Sequence, residues 1–200
     1  MELVLVRHAL PVRVDRAPDG GVADPELMPR GRMQAQRVVA ALAADGVDAV
    51  VSSPSRRALE TAAPLCAALG LDPVVEEGVA EFDRGLPSYV PVEEIRAEGG
   101  EAWQALARGD LYAVGVDPVA FRERVVAALE DVVARHPGGR VAVFCHAGVI
   151  NAYAGHVLGQ ERAIWFAPAY CSVSRVGAAR SGRRGVVSLN ETGHVRDLLA

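Results

Sequence analysis

Two runs of apolar, largely β-favouring residues limit the folds open to this chain: Leu3-Val4-Leu5-Val6 and Val141-Ala142-Val143-Phe144-Cys145. Neither alternates with polar residues, so neither suits a sheet with one wet face; each reads as a strand covered on both sides. Between and after them lie helical patterns. Gly31 to Ala44 carries Val38 and Leu42 inward and Arg32 and Arg37 outward. A second helix is expected from a Ser53 cap with Pro54 in its first turn, running to Leu69 and Gly70. Asp117-Pro118 opens a third, with Phe121, Val125, Leu129 and Val132 at helical spacing, and Ala147 to Leu158 is a fourth. Shorter strands are expected at Asp48–Val51, Pro73–Val75, Ser172–Val176 and Gly185–Leu189. Strands alternating with helices predict an α/β fold: a three-layer α/β/α sandwich with a mainly parallel sheet and helices on both faces. The 200 residues fit a single domain, 1–200. Residues 76–117, rich in Pro, Gly, Glu and Arg with helical pieces at Val92–Glu98 and Ala102–Arg108, read as a lid-like insert.

Composition narrows the partners. Net charge is −4, so the surface as a whole does not attract nucleic acid or anionic lipid. An anionic ligand has to be caught locally. All 21 basic residues are arginine, which is read as GC-rich codon usage and not as a ligand signal. Cys66, Cys145 and Cys171 form no CxxC pair, so neither a zinc cluster nor a disulfide framework is expected. Cys145 reads as a buried, inert thiol. Val141 to Gln160 lacks Asp, Glu, Lys and Arg, but its histidines, Asn151 and glycines do not suit a membrane span. The chain runs from Met-Glu straight into the first strand, and a cytoplasmic protein is expected. GxGxxG after the first strand and GxxxxGK[ST] are both missing, which removes the main support for dinucleotide and P-loop functions.

Chemistry gathers at strand ends. Leu3–Val6 leads to Arg7-His8, the second strand through Ser52-Ser53-Pro54 to Arg56-Arg57, and Val141–Cys145 to His146. In such sheets the ligand lies at the carboxyl ends of the strands. Two imidazoles beside arginines admit two readings. A metal site would recruit Asp15 and Glu81, but the arginines would repel the cation. Phosphoryl transfer fits better: guanidinium forks match phosphate oxygens, one imidazole can be a covalent nucleophile, and the other can bind an equatorial oxygen. A carboxyl group must then protonate the leaving alkoxide.

Five segments carry a family resemblance: Leu5-Val6-Arg7-His8-Ala9, Leu27-Met28-Pro29-Arg30-Gly31-Arg32-Met33-Gln34-Ala35, the run from Ser52 to Ala62, Val79-Ala80-Glu81-Phe82-Asp83, and Val143 to Gly148. In this order, over residues 2 to about 176, the chain resembles the histidine phosphatase superfamily of the cofactor-dependent phosphoglycerate mutases. The resemblance implies that His8 becomes phosphohistidine, that Arg7, Arg57 and His146 bind the phosphoryl oxygens, and that Glu81 is proton donor and then base. Glu76, Glu77 and Asp83 are alternative carboxylates. It further implies a phosphatase of a small phosphorylated substrate, without metal or organic cofactor.

Departures bear on the branch. Ala9 replaces the usual glycine, and Val14 stands where mutases have an asparagine. A mutase-type isomerase and a non-catalytic phospho-ligand module are the alternatives. Arg13 reads as an exposed loop residue, and Tyr89, Trp103 and Tyr112 either line the lid or pack it down. His136 and His194 read as exposed. One chain's sequence sets neither the physiological substrate nor the oligomeric state.

Overall fold

The computed structural model describes residues 1–112 and 115–199. Six strands, β1 (Glu2–Arg7), β2 (Ala49–Ser52), β3 (Val74–Val75), β4 (Arg140–Cys145), β5 (Val173–Ala178) and β6 (Arg184–Glu191), form one sheet in the order β3-β2-β4-β1-β5-β6. The first four strands are mutually parallel, while β5 runs antiparallel to β1 and β6 antiparallel to β5. The α-helices among the described residues are α1 (Pro29–Leu42), α2 (Arg56–Leu69), α3 (Val92–Glu98), α4 (Gly100–Arg108), α5 (Pro118–Arg135) and α6 (Ala147–Leu158).

The two uninterrupted apolar runs are the central strands, and their side chains divide by parity. Val4, Val6, Ala142 and Phe144 join Val38, Leu42, Ala62 and Leu65 of α1 and α2 in one core layer. Leu3, Leu5, Val141, Val143 and Cys145 join Val125, Leu129, Val149 and Tyr153 of α5 and α6 in the other. This is the expected three-layer sandwich. Burial raises the Cys145 thiol pKa. At the β3 edge Val74 and Val75 are exposed. No helix among the described residues is long and apolar enough to cross a membrane.

Register decides what meets at the carboxyl edge. Arg7 of β1 lies opposite Cys145 of β4, so the next residues, His8 and His146, leave neighbouring parallel strands at one level. The turn after β1 is held by two buried polar side chains: Thr61 Oγ1 accepts from Ala9 N–H at 3.0 Å, and Gln34 Oε1 from Leu10 N–H at 2.9 Å. Ala9, in the glycine position, is itself fully buried in the α1–α2 core layer.

Two expectations are corrected. The α2 cap is Ser55, not Ser53, and Pro54 precedes the cap; the Ser53 hydroxyl is 2.7 Å from His146 Nε2 and so serves the site. His136 and His194 are half-buried, and His194 Nε2 lies 2.9 Å from the Cys171 carbonyl.

Helix α1 meets the β1 turn so closely that a Cβ on Gly31 would come 2.1 Å from the Leu10 carbonyl oxygen. Gly31→Ala is therefore expected to destabilise the fold by about 1–3 kcal/mol. A fall in the urea midpoint at unchanged m-value would measure it.

Candidate active site

At the carboxyl edge, His8 follows β1, His146 is the N-cap residue of α6, and Arg57 stands in the first turn of α2. The imidazoles of His8 and His146 are 5.1 Å apart, and the ring of Tyr170 is 5.6 Å from His8. Arg7 and Arg57 are only 4% and 2% exposed.

The His8 ring has a defined protonation pattern. Its Nδ1 lies 2.8 Å from the Ala9 carbonyl, an acceptor that obliges Nδ1 to carry hydrogen. Burial, then Arg57 and Arg7, hold its pKa well below the usual histidine value. The ring is therefore neutral, and Nε2 keeps a free lone pair. Burial and the same arginines likewise depress the pKa of His146.

Each guanidinium is anchored at one end. Arg7 Nη1 donates to the Pro168 carbonyl at 2.7 Å and to Glu93 at 3.2 Å, and its plane rests 3.7 Å from the Tyr170 ring centre. Arg57 Nη2 donates to both oxygens of Asp83, at 2.8 and 3.0 Å, beneath the Tyr89 ring at 4.6 Å. At the other end Arg7 Nε, Arg57 Nε and His146 Nδ1 are buried without a hydrogen-bond partner among the described residues. Buried polar atoms of this kind call for an acceptor, and a tetrahedral oxyanion supplies several at once.

The candidate acids separate by environment. Glu76 accepts from Gly78 N–H and pairs with Arg135, Glu77 pairs with Arg84, and Asp83 is committed to Arg57. Glu81 is the buried one, 7% exposed. Its carboxyl group accepts from Gly148 N–H at 2.8 Å, in the first turn of α6 two residues beyond His146, and from Phe82 N–H at 3.1 Å. Burial, reinforced by Asp83, raises its pKa to about 7, against those two N–H groups and Arg57. A Cβ on Gly148 would lie 2.3 Å from Glu81 Oε1, so a larger residue there would displace this carboxyl group.

Residues of the 76–117 segment lie at this edge. Val14 and Tyr89 exchange backbone hydrogen bonds of 2.9 and 2.7 Å, which sets the Tyr89 ring over Arg57. The mutase asparagine position thus serves a backbone bridge. Arg13 is tied to Asp15, Glu94 and Glu98, the last two on α3. Trp103 faces Arg96, and Tyr112 is exposed. Of the expected insert, residues 113–114 lie outside the described residues. Sequence reasoning missed Tyr170, Ser53 and Glu93. Tyr170 enters because β5 runs antiparallel to β1, so the loop before β5 arrives beside the end of β1. No group of three or more His, Cys, Asp or Glu among the described residues could hold a metal ion.

Inorganic phosphate or vanadate is expected to bind between Arg7, His8, Arg57 and His146. Arg57→Ala removes charge-assisted bonds worth roughly 1.5–3 kcal/mol and should weaken that affinity by about 10- to 150-fold. Titration calorimetry would measure it.

Comparison with known proteins bears on the same site. The family model described as histidine phosphatase superfamily (branch 1) matches residues 3–192. The chain is 29% identical to phosphoserine phosphatase 1 of Hydrogenobacter thermophilus over 98% of this chain and 94% of that protein. It is 30% identical to phosphoglycerate mutase-like protein 4 of Arabidopsis thaliana over 75% of this chain and 68% of that one. Among solved structures, a mycobacterial glucosyl-3-phosphoglycerate phosphatase superposes with a TM-score of 0.76 at 25% identity, covering 95% of this chain and 98% of its own. The chain belongs to the histidine phosphatase superfamily and is a phosphomonoester hydrolase.

Proposed function

We propose that this enzyme hydrolyses a small phosphorylated acid of the phosphoserine or phosphoglycerate type, with His8 as nucleophile and Glu81 as the group that moves protons. The observation that carries the reading is the fixed lone pair of His8 Nε2, set by the Nδ1 contact to the Ala9 carbonyl, beside the unpartnered nitrogens of Arg7, Arg57 and His146. The relative that spans 98% of this chain, a phosphoserine phosphatase, supports the substrate class.

In the first step His8 Nε2 attacks phosphorus and the bond to the ester oxygen breaks. The protonated Glu81 gives its proton to that oxygen, so an alcohol leaves and Glu81 becomes a carboxylate. Arg7, Arg57 and His146 hold the equatorial oxygens, where charge accumulates. In the second step the Glu81 carboxylate takes a proton from water, and the oxygen attacks phosphorus. The P–N bond breaks and its electron pair returns to Nε2. Inorganic phosphate leaves, and Glu81 is again protonated. The insert at 76–117 acts as a lid over these events, with Tyr89 placed above Arg57. Val14, where mutases have an asparagine, offers no side-chain amide to a substrate, which favours hydrolysis over isomerisation. Mass balance of 3-phosphoglycerate against released phosphate separates the two. A module that only binds phospho-ligands has no need of the nucleophile, and His8→Ala is expected to abolish phosphate release from a substrate panel.

The protonated form of Glu81 dominates below pH 7 and is lost above it. For an alkyl phosphate kcat/KM should therefore fall as pH rises through about 7, and Glu81→Gln should remove that limb. The same substitution should lower turnover of alkyl phosphates by about 10²–10⁴, and with p-nitrophenyl phosphate, whose leaving group needs little protonation, a phosphoenzyme labile to acid and stable to alkali should accumulate on His8. Normal turnover by Glu81→Gln would refute the assignment. With arginines and His146 stabilising the charge, exhaustive treatment with EDTA should leave the rate unchanged.

A further inference from the structure

Glu81 stands on a short turn between β3 and α3, and a turn of this kind needs something to aim it. Packing accounts for part. Gly78 sits against α5 so closely that a Cβ there would be 2.3 Å from the Ala128 Cβ, and the Phe82 ring meets Phe121 of α5 edge-on at 5.8 Å. A groove of about 790 Å³ remains between the turn and α5, lined by Glu81, Phe82, Phe121 and Arg124 among others, so apolar packing does not close this side. One side chain spans it. Arg124 of α5 donates from Nη1 to the carbonyls of Gly78 at 2.8 Å and Glu77 at 3.3 Å, and from Nη2 to the carbonyl of Ala80 at 2.9 Å. The Ala80 carbonyl belongs to the peptide bond that begins Glu81. The guanidinium also lies 5.1 Å from the Phe121 ring centre, which restrains its plane.

We infer that Arg124 is a positioning residue for proton transfer: by bonding the carbonyls of residues 77, 78 and 80 it fixes the peptide from which Glu81 reaches the first turn of α6. Glu81 is then held from two sides, its backbone by α5 through Arg124 and its carboxyl group by α6 through Gly148 N–H. Arginine suits the task because its planar fork serves several carbonyls at once, whereas a lysine ammonium offers one point of contact. A misplacement of about 1 Å at a reacting group can cost on the order of 10²-fold in rate. Losing the clamp should thus show in the chemistry of the leaving group.

The inference rests on the assignment of Glu81 as the acid, and the test separates the two. It compares kcat/KM for O-phosphoserine, whose alkoxide needs a proton, with p-nitrophenyl phosphate, whose leaving group does not. This parameter reports only the steps up to transfer onto His8, so the shared hydrolysis of phosphohistidine does not enter. Arg124→Met should lose at least about tenfold on O-phosphoserine, by displacement of the acid, while p-nitrophenyl phosphate stays within about threefold. Arg124→Lys, which keeps the charge and one donor group, should fall between wild type and Arg124→Met, and carries the same comparison if the methionine variant is insoluble. Equal losses on both substrates would mean a merely structural residue and overturn the inference, as would wild-type ratios in both variants. If Glu81→Gln discriminates between the substrates and the Arg124 variants do not, the inference alone fails. If Glu81→Gln does not discriminate, the assignment of Glu81 fails and takes the inference with it.

Discussion

Two guanidinium groups, Arg7 and Arg57, lie almost wholly out of water beside two imidazoles. Burying an ionised group is costly unless it is paired and hydrogen-bonded. Much of the structure around the carboxyl edge can be read as the answer to that cost. Pro168 and Glu93 receive one end of Arg7, Tyr170 supplies an aromatic face, and Asp83 takes one end of Arg57 with both oxygens. Arg7 Nε and Arg57 Nε stay without a hydrogen-bond partner among the described residues.

The electrostatic consequences run in two directions. Burial and the arginines keep both histidines neutral, which leaves the His8 Nε2 lone pair free. Burial raises the pKa of Glu81 even though the Gly148 and Phe82 N–H groups and Arg57 favour its anion. A neutral imidazole and a protonated carboxyl therefore coexist near neutral pH within one cationic cluster, as a two-step displacement requires. Both states depend on exclusion of water, and Tyr89 and Glu93 lie against Arg57 and Arg7 at this edge. Helix α5 has a second role here. Besides covering one sheet face with Val125 and Leu129, it presents Arg124 to the turn that carries Glu81.

Much of this was legible in the sequence, and the reason is local. A strand buried on both faces is an uninterrupted apolar run, so its end is marked by the first polar residues, and Arg7-His8 and His146 stand out there. Helix punctuation was equally plain: Asp117 accepts from Val119 N–H and Ala120 N–H as an N-cap before Pro118, and Gly159 closes α6. The α2 start was misplaced by two residues because a Ser-Ser-Pro-Ser run offers more than one cap. Only the neighbouring strand shows that the Ser53 hydroxyl is engaged by His146.

By itself the sequence determined the layers, the two central strands, and the polar residues that follow them, because strand periodicity and strand ends are properties of adjacent residues. Which carboxylate of the cluster Glu76, Glu77, Glu81 and Asp83 is buried was decided by tertiary structure. Burial depends on where α5, α6 and α2 lie, and the four residues share much the same local composition. The same holds for Tyr170, brought in by the antiparallel direction of β5, and for Arg124, which on the helix pattern is one more polar residue off the apolar face. Residues distant along the chain meet only when the sheet order and register are set, and hydrogen bonds and pKa values follow from those meetings.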